Sequence, residues 1–207
     1  MNYLAHAYLS FDHPGILVGN MISDFVKGKK KYSYPLEIQK GIKLHREIDR
    51  FTDSHPACHD AKKYFRPVYR LYSGAIVDVL LDHFLATDNS IFNKNELTLF
   101  SAKTYSILDQ YTSFFPEKFN NMYPYMKSQN WLLHYKDLSG IKQSLYGLVR
   151  RSQYMGEVDT AFNLFRQYYN QIGDCYRAFI PEIKHLALNF LDSPGKNENS
   201  INLLQNT

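Results

Sequence analysis

The sequence is short of several things, and each shortage closes off a class of protein. It holds two cysteines in 207 residues, Cys58 and Cys175. Their number and spacing make neither a disulfide framework nor a thiolate metal site, which fits two inert thiols in a reducing compartment. The cytoplasm is therefore the expected location. No uninterrupted apolar run reaches the length of a membrane span, so no membrane association is expected. The opening MNYLAHAYLS has no basic stretch before its apolar residues and carries His6 among them, unlike a signal peptide. The net charge of +4 is too small to argue for a nucleic-acid partner. A Gly-rich phosphate loop and a nucleophile elbow are both missing, which counts against nucleotide cradling and serine hydrolysis.

Strand alternation with hairpin turns is also scarce, and most of the chain reads with helical period. Helices are predicted near 2–10, 15–30, 35–50, 55–66, 69–88, 95–112, 117–127, 138–150 and 156–191. Pro14, Pro35 and Pro56 sit where helices should start. Seventeen tyrosines and fourteen phenylalanines supply large apolar area, and the tyrosine hydroxyls need partners or water. No repeat, low-complexity segment or long linker divides the sequence. The expectation is a single all-α domain, a helical bundle over 1–192, followed by a mobile tail over 193–207.

Polar residues that interrupt buried patterns are the candidates for chemistry. The stretch GAIVDVLLDHFLA (74–86) is apolar nearly all round, yet contains Asp78, Asp82 and His83. Asp78 and Asp82 are four apart and share a face with Leu81 and Leu85, which turns both carboxylates inward. Two buried carboxylates repel and are costly unless a divalent cation, or a buried Arg or Lys, compensates them. In LEIQKGIKLHREIDRFTDSHP (36–56), the stripe Ile38, Ile42 continues to His45 and Asp49, a chelating pair on one face. Taken singly, His45 would be a satisfied core histidine and Asp49 a partner of Arg46 or Arg50. Asp53 and Ser54 read as helix caps before Pro56, with His55 left open between the site and its rim. In GNMISDFVKGKKK (19–31), Asp24 lies among apolar residues and is either a ligand or general base, or a surface partner of Lys27. His6, on the first apolar helix, is a weaker candidate of the same kind. Carboxylates with imidazoles and no thiolate suit Mn²⁺ or Mg²⁺ better than a closed zinc site. Such an ion would activate water and neutralise charge on a phosphoryl oxygen.

These residues stand in blocks that resemble a known family. MNYLAHAYLS, GNMISDFVKG, GIKLHREIDRFTDSHP and VDVLLDHFLA are similar to the acyl carrier protein phosphodiesterases. The likeness continues through SQNWLLHYKDL (128–138) and GLVRRS (147–152) to about residue 190. The resemblance implies an all-helical fold distantly like the HD-type phosphohydrolases. It implies hydrolysis of the phosphodiester between 4′-phosphopantetheine and a serine of holo acyl carrier protein, with Mn²⁺ and alternatively Mg²⁺ as the cofactor. It places Asp24 at the metal or catalytic centre and matches His45, Asp49, Asp78, Asp82 and His83 to the family's acidic and histidine positions. His83 and His55 are the candidates for protonating the leaving serine. HD-type enzymes carry a His-Asp doublet, whereas Asp82-His83 has the reverse order. An acidic carrier calls for a basic docking face. Lys27, Lys29, Lys30 and Lys31 directly follow Asp24; Lys62, Lys63, Arg66 and Arg70, or Arg150 and Arg151, offer others. Two further readings stand beside this one: hydrolysis of a small phosphodiester by an HD-like domain, and a non-catalytic carrier-binding module.

Overall fold

Apolar periodicity near 3.6 residues is realised as helices alone. The computed structural model describes residues 1–93, 95–152 and 155–193; among these there are twelve α-helices and no strand. They are α1 (Tyr3–Tyr8), α2 (Pro14–Ile22), α3 (Leu36–Ser54), α4 (Pro56–Lys63), α5 (Arg66–Tyr69) and α6 (Ser73–Thr87). There follow α7 (Glu96–Asp109), α8 (Glu117–Ser128), α9 (Trp131–His134), α10 (Leu138–Arg151), α11 (Val158–Gln167) and α12 (Tyr169–Asp192). Pro14 and Pro56 open α2 and α4, and Pro35 caps α3, as a ring without an N–H allows. The tail expected over 193–207 lies, beyond Ser193, outside the described residues.

Departures from the predicted helices have local causes. The helix predicted over 15–30 stops at Ile22. Ser23–Phe25 is a 3-10 turn, Val26 and Lys27 are extended, and Gly28 at φ +57° begins a second 3-10 segment, Gly28–Ser33. The helix predicted over 69–88 begins at Ser73, because Arg70 stands at φ +44° and breaks the run from α5. The long helix predicted over 156–191 is two, parted at Tyr168. Helix α9 was not predicted; Asn130 starts it from a left-handed backbone, its side chain accepting from the Leu133 N–H.

Buried apolar side chains form one contiguous cluster. Helix α6 runs through it, buried from Ile76 to Ala86 except for Asp78, and packs on α1, α4, α10 and α12. Phe65, Phe119, Phe165 and Phe179 are fully enclosed, each contributing roughly 1.5–3 kcal/mol by burial. No helix among the described residues is long and apolar enough to cross a membrane.

Helices α2 and α3 pack backbone against backbone. A Cβ on Gly19 would lie 2.0 Å from the Ile38 carbonyl oxygen, and one on Gly41 2.1 Å from that of Ile16. The two backbones thus touch where both residues are glycine, which lets a main-chain carbonyl of α2 reach a side chain of α3. Gly41→Ala should therefore separate the helices. A loss of about 1–3 kcal/mol in denaturant unfolding is expected, the usual cost of overpacking.

Candidate metal centre

Helices α1, α2 and α3 meet around three polar side chains with no apolar alternative. His6 comes from α1, and His45 and Asp49 from successive turns of α3. The Nε2 of His6 lies 3.3 Å from Asp49 Oδ1, and the Nε2 of His45 lies 3.1 Å from Asp49 Oδ2. The two imidazoles stack with centroids 3.9 Å apart and planes 14° from parallel. One ligand atom from each of the three residues falls within 4.8 Å of the others, a group able to hold a metal ion. Asp24, on the 3-10 turn after α2, places Oδ1 3.1 Å from His45 Nε2. Its side chain is 65% exposed and that of Asp49 43%, so the group opens to solvent on the carboxylate side.

Asn20 decides which nitrogens are available. Its amide nitrogen donates to the His6 carbonyl at 2.8 Å and to Ser10 Oγ at 3.1 Å. Its side-chain oxygen therefore faces His6 Nδ1, 2.8 Å away, and that nitrogen must carry the hydrogen. The main-chain oxygen of Asn20 lies 2.7 Å from His45 Nδ1, which donates for the same reason. Both Nε2 atoms are left pointing at carboxylates. Protonating both would stack two cations in a buried place. Burial, then the neighbouring His45, lowers His6 to about 4. Burial would lower His45 too, but its hydrogen bonds to Asp24 and Asp49 outweigh that and raise it to about 9. At neutral pH, then, the buried Nε2 of His6 sets a lone pair against an oxygen of Asp49, acceptor against acceptor. A bound cation removes that conflict, with the backbone and amide contacts at Nδ1 orienting both rings. The His45 hydrogen bond holds the Asp24 carboxyl below its ordinary range, and the same imidazole holds Asp49 low against its burial.

The structure brings together His6, His45, Asp49 and Asp24 of the sequence candidates, and gives Asp78, Asp82 and His83 other partners. Half-buried Asp78 accepts from the α-amino group of Met1 at 2.9 Å. Asp82, wholly enclosed, accepts from the main-chain N–H of Asn2 at 3.1 Å and of Leu4 at 2.8 Å. The inward face of α6 thus meets the start of α1, whose amide donors and amine compensate the carboxylates. Burial pushes Asp82 up to about 7 against the pull of that amine and those amides. His83 has both ring nitrogens engaged, Nδ1 with the Tyr135 carbonyl at 2.8 Å and Nε2 with the Tyr169 hydroxyl at 3.0 Å. Phe84 and Phe165 set their rings edgewise to it, and burial lowers its pKa. His55 caps α4, its Nδ1 accepting from the Ala57 N–H, and faces Glu182 with Nε2. The cap expected from Asp53 or Ser54 is replaced because α3 runs on to Ser54. Asp53 pairs with Lys62. Asn20 and Ser10 escaped sequence reasoning; the lone amide within the apolar run ILVGNMI was the available signal.

Fold and site together define an all-helical protein with an open His–His–Asp centre suited to a cation. The family model for acyl carrier protein phosphodiesterase matches residues 1–183. The acyl carrier protein phosphodiesterase of Photorhabdus laumondii is 30% identical over 190 residues, covering 91% of this chain and 96% of its own. That of Yersinia pestis is 32% identical over 188 residues, covering 90% and 97%. No solved structure matches the chain. The chain belongs to the acyl carrier protein phosphodiesterase family.

Two measurements check this arrangement. Asn20→Ala frees Nδ1 of His6 while its main-chain oxygen still holds that of His45, and a 10–100-fold weaker affinity for Mn²⁺ is expected by titration, the usual effect of losing an orienting partner. Asp82→Ala leaves two amides of α1 without an acceptor, and a loss of about 2–4 kcal/mol in unfolding is expected at neutral pH. In chelator, His45 adds a pH term. Its folded pKa lies above the unfolded 6.5, so its stabilisation is whole below pH 6.5 and lost as pH rises through about 9. The wild type should lose Tm over that window relative to His45→Gln.

Proposed function

We propose that this phosphodiesterase hydrolyses the bond joining 4′-phosphopantetheine to a serine of holo acyl carrier protein, releasing apo carrier and phosphopantetheine. In this reading His6, His45 and Asp49 hold a divalent cation, Mn²⁺ or alternatively Mg²⁺. The observation that carries it is the pair of Nε2 atoms left facing carboxylates by Asn20. Asp24 adds a second carboxylate at the solvent side, which favours a hard ion and supports Mn²⁺ over a thiolate-type site. Such an ion supplies positive charge for phosphoryl oxygens and acidity for the attacking water.

The remaining work falls to the chain. Asn20 and Ser10 fix the ring of His6, and Asn20 fixes that of His45. Asp24, ionised and exposed, accepts a proton from water approaching the His45 edge. Asp78 and Asp82 serve by holding the start of α1, and with it His6, against α6, while His83 ties α6 to Tyr135 and to Tyr169 of α12. Lys27, Lys29 and Lys30 are exposed and Lys31 half-buried on the segment directly after Asp24, beside the open edge of the centre. They form the docking face for an acidic carrier, which steers encounter and weakens with salt. The cytoplasm suits this reaction, since Cys58 and Cys175 are both free thiols.

Mass spectrometry of holo acyl carrier protein after incubation with the protein is the direct test. Loss of the prosthetic group is expected with Mn²⁺ and none with chelator; release that persists in chelator overturns the metal reading. Asp24→Ala should lower turnover at least 100-fold while the circular dichroism spectrum is kept. Replacing Lys29, Lys30 and Lys31 by Glu should raise KM for the carrier at least tenfold and leave turnover of a small phosphodiester unchanged. Equal loss on both substrates would remove the lysines from docking.

A further inference from the structure

We propose that the cleft between α1, α8, α9 and α10 seats the pantetheine arm of the carrier, with Gly147 keeping its floor open. This deepens the function proposed above and rests on it. The cleft has a volume of about 810 Å³, within the range of small-molecule sites, and Tyr3, Met122, Trp131, Gln143, Tyr146 and Gly147 contribute to its walls.

Its position ties it to the metal centre through two elements. Tyr3 and His6 lie one turn apart on α1, about 4.5 Å along the axis at the usual helical rise. On the other side, Phe25, next to Asp24, meets Phe119 of α8 edgewise at 5.6 Å, and Met122 is one turn further along α8. Of the helices around the centre, α1 is also a cleft wall, and α8, another wall, touches the turn that carries Asp24. A phosphodiester held at His6 and Asp24 would be linked to the cleft through α1 and through the Phe25–Phe119 contact.

The wall chemistry matches a pantetheine chain, which alternates methylene or gem-dimethyl groups with two amides. Tyr3 and Trp131, with ring centroids 6.3 Å apart, give apolar contact together with Met122 and Tyr146. Gln129, Gln143 and Ser144 add amide and hydroxyl groups to the lining, a chemistry able to pair with amides. Gly147 supplies the independent observation. It lies inside α10, where glycine is the least favourable residue after proline, and no positive φ explains it. A Cβ there would meet nothing within 4 Å. Packing against the protein does not require glycine at this position, whereas an open cleft does. Gly140, one end of the same helix, contrasts with it: a Cβ there would sit 2.1 Å from the His134 carbonyl oxygen, so that glycine is explained by packing.

The test is a size series at the floor, Gly147→Ala, Gly147→Leu and Gly147→Phe, with Tm measured alongside. On holo acyl carrier protein with saturating Mn²⁺, kcat/KM should fall stepwise with side-chain size, at least tenfold for Gly147→Phe and mainly through KM. Phosphate-free pantetheine should inhibit the wild type competitively and the Gly147→Phe variant at least tenfold more weakly. Unchanged kcat/KM across the series, or pantetheine that fails to compete, overturns the proposal. Calorimetric binding of pantetheine to wild type and Gly147→Leu reads the cleft without turnover. Should the wild type release no phosphopantetheine, the proposed function falls. Absence of pantetheine binding in the presence of carrier turnover sinks the cleft alone.

Discussion

Everything at the centre depends on how closely α2 lies on α3. Because Gly19 and Gly41 allow backbone contact, the main-chain oxygen of Asn20 reaches His45 while its side chain reaches His6. A single residue thus sets the tautomer of two imidazoles from two helices. The stacked rings cannot both be charged, and the neutral one cannot satisfy a carboxylate. The electrostatic strain is placed at one point, where a group of ligand atoms able to hold a metal ion lies.

Around that point the acidic side chains divide by what compensates them. Asp24 and Asp49 face imidazole nitrogens and solvent. Asp78 and Asp82 face an amine and the amides at the start of α1. Both solutions lower the cost of a carboxylate in the interior, but only the first leaves open directions for a ligand. The second fastens α1 to α6, the most enclosed helix of the core, and so fixes the height at which His6 enters the centre. Removing the structural pair would be felt at the site without either residue touching it.

Beyond the centre, irregular backbone does what a continuous helix would not. The stop at Ile22 and the turn at Gly28 carry Asp24 to the rim and set the lysines on an exposed 3-10 segment. An unbroken helix over 15–30 would have rotated the lysines around the axis and spread them away from one face. On the other flank, α8 joins the rim at Phe25 to the cleft at Met122.

The helical class, proline-marked starts and the His45–Asp49 pair were legible in the sequence, because they follow from periodicities of a few residues and from chemistry within one turn. His6 was visible only as a weak candidate, and Asn20 not at all, since their importance comes from a crossing of helices that no local pattern encodes. The inward face of α6 was also read, but not its partner: a pair of carboxylates four apart demands positive charge or donors without saying which. Only the tertiary structure shows that the amine of Met1 and the amides at the start of α1 meet them. That choice depends on which chain segment is brought alongside, and such proximity is a property of the packed core rather than of any single stretch of sequence.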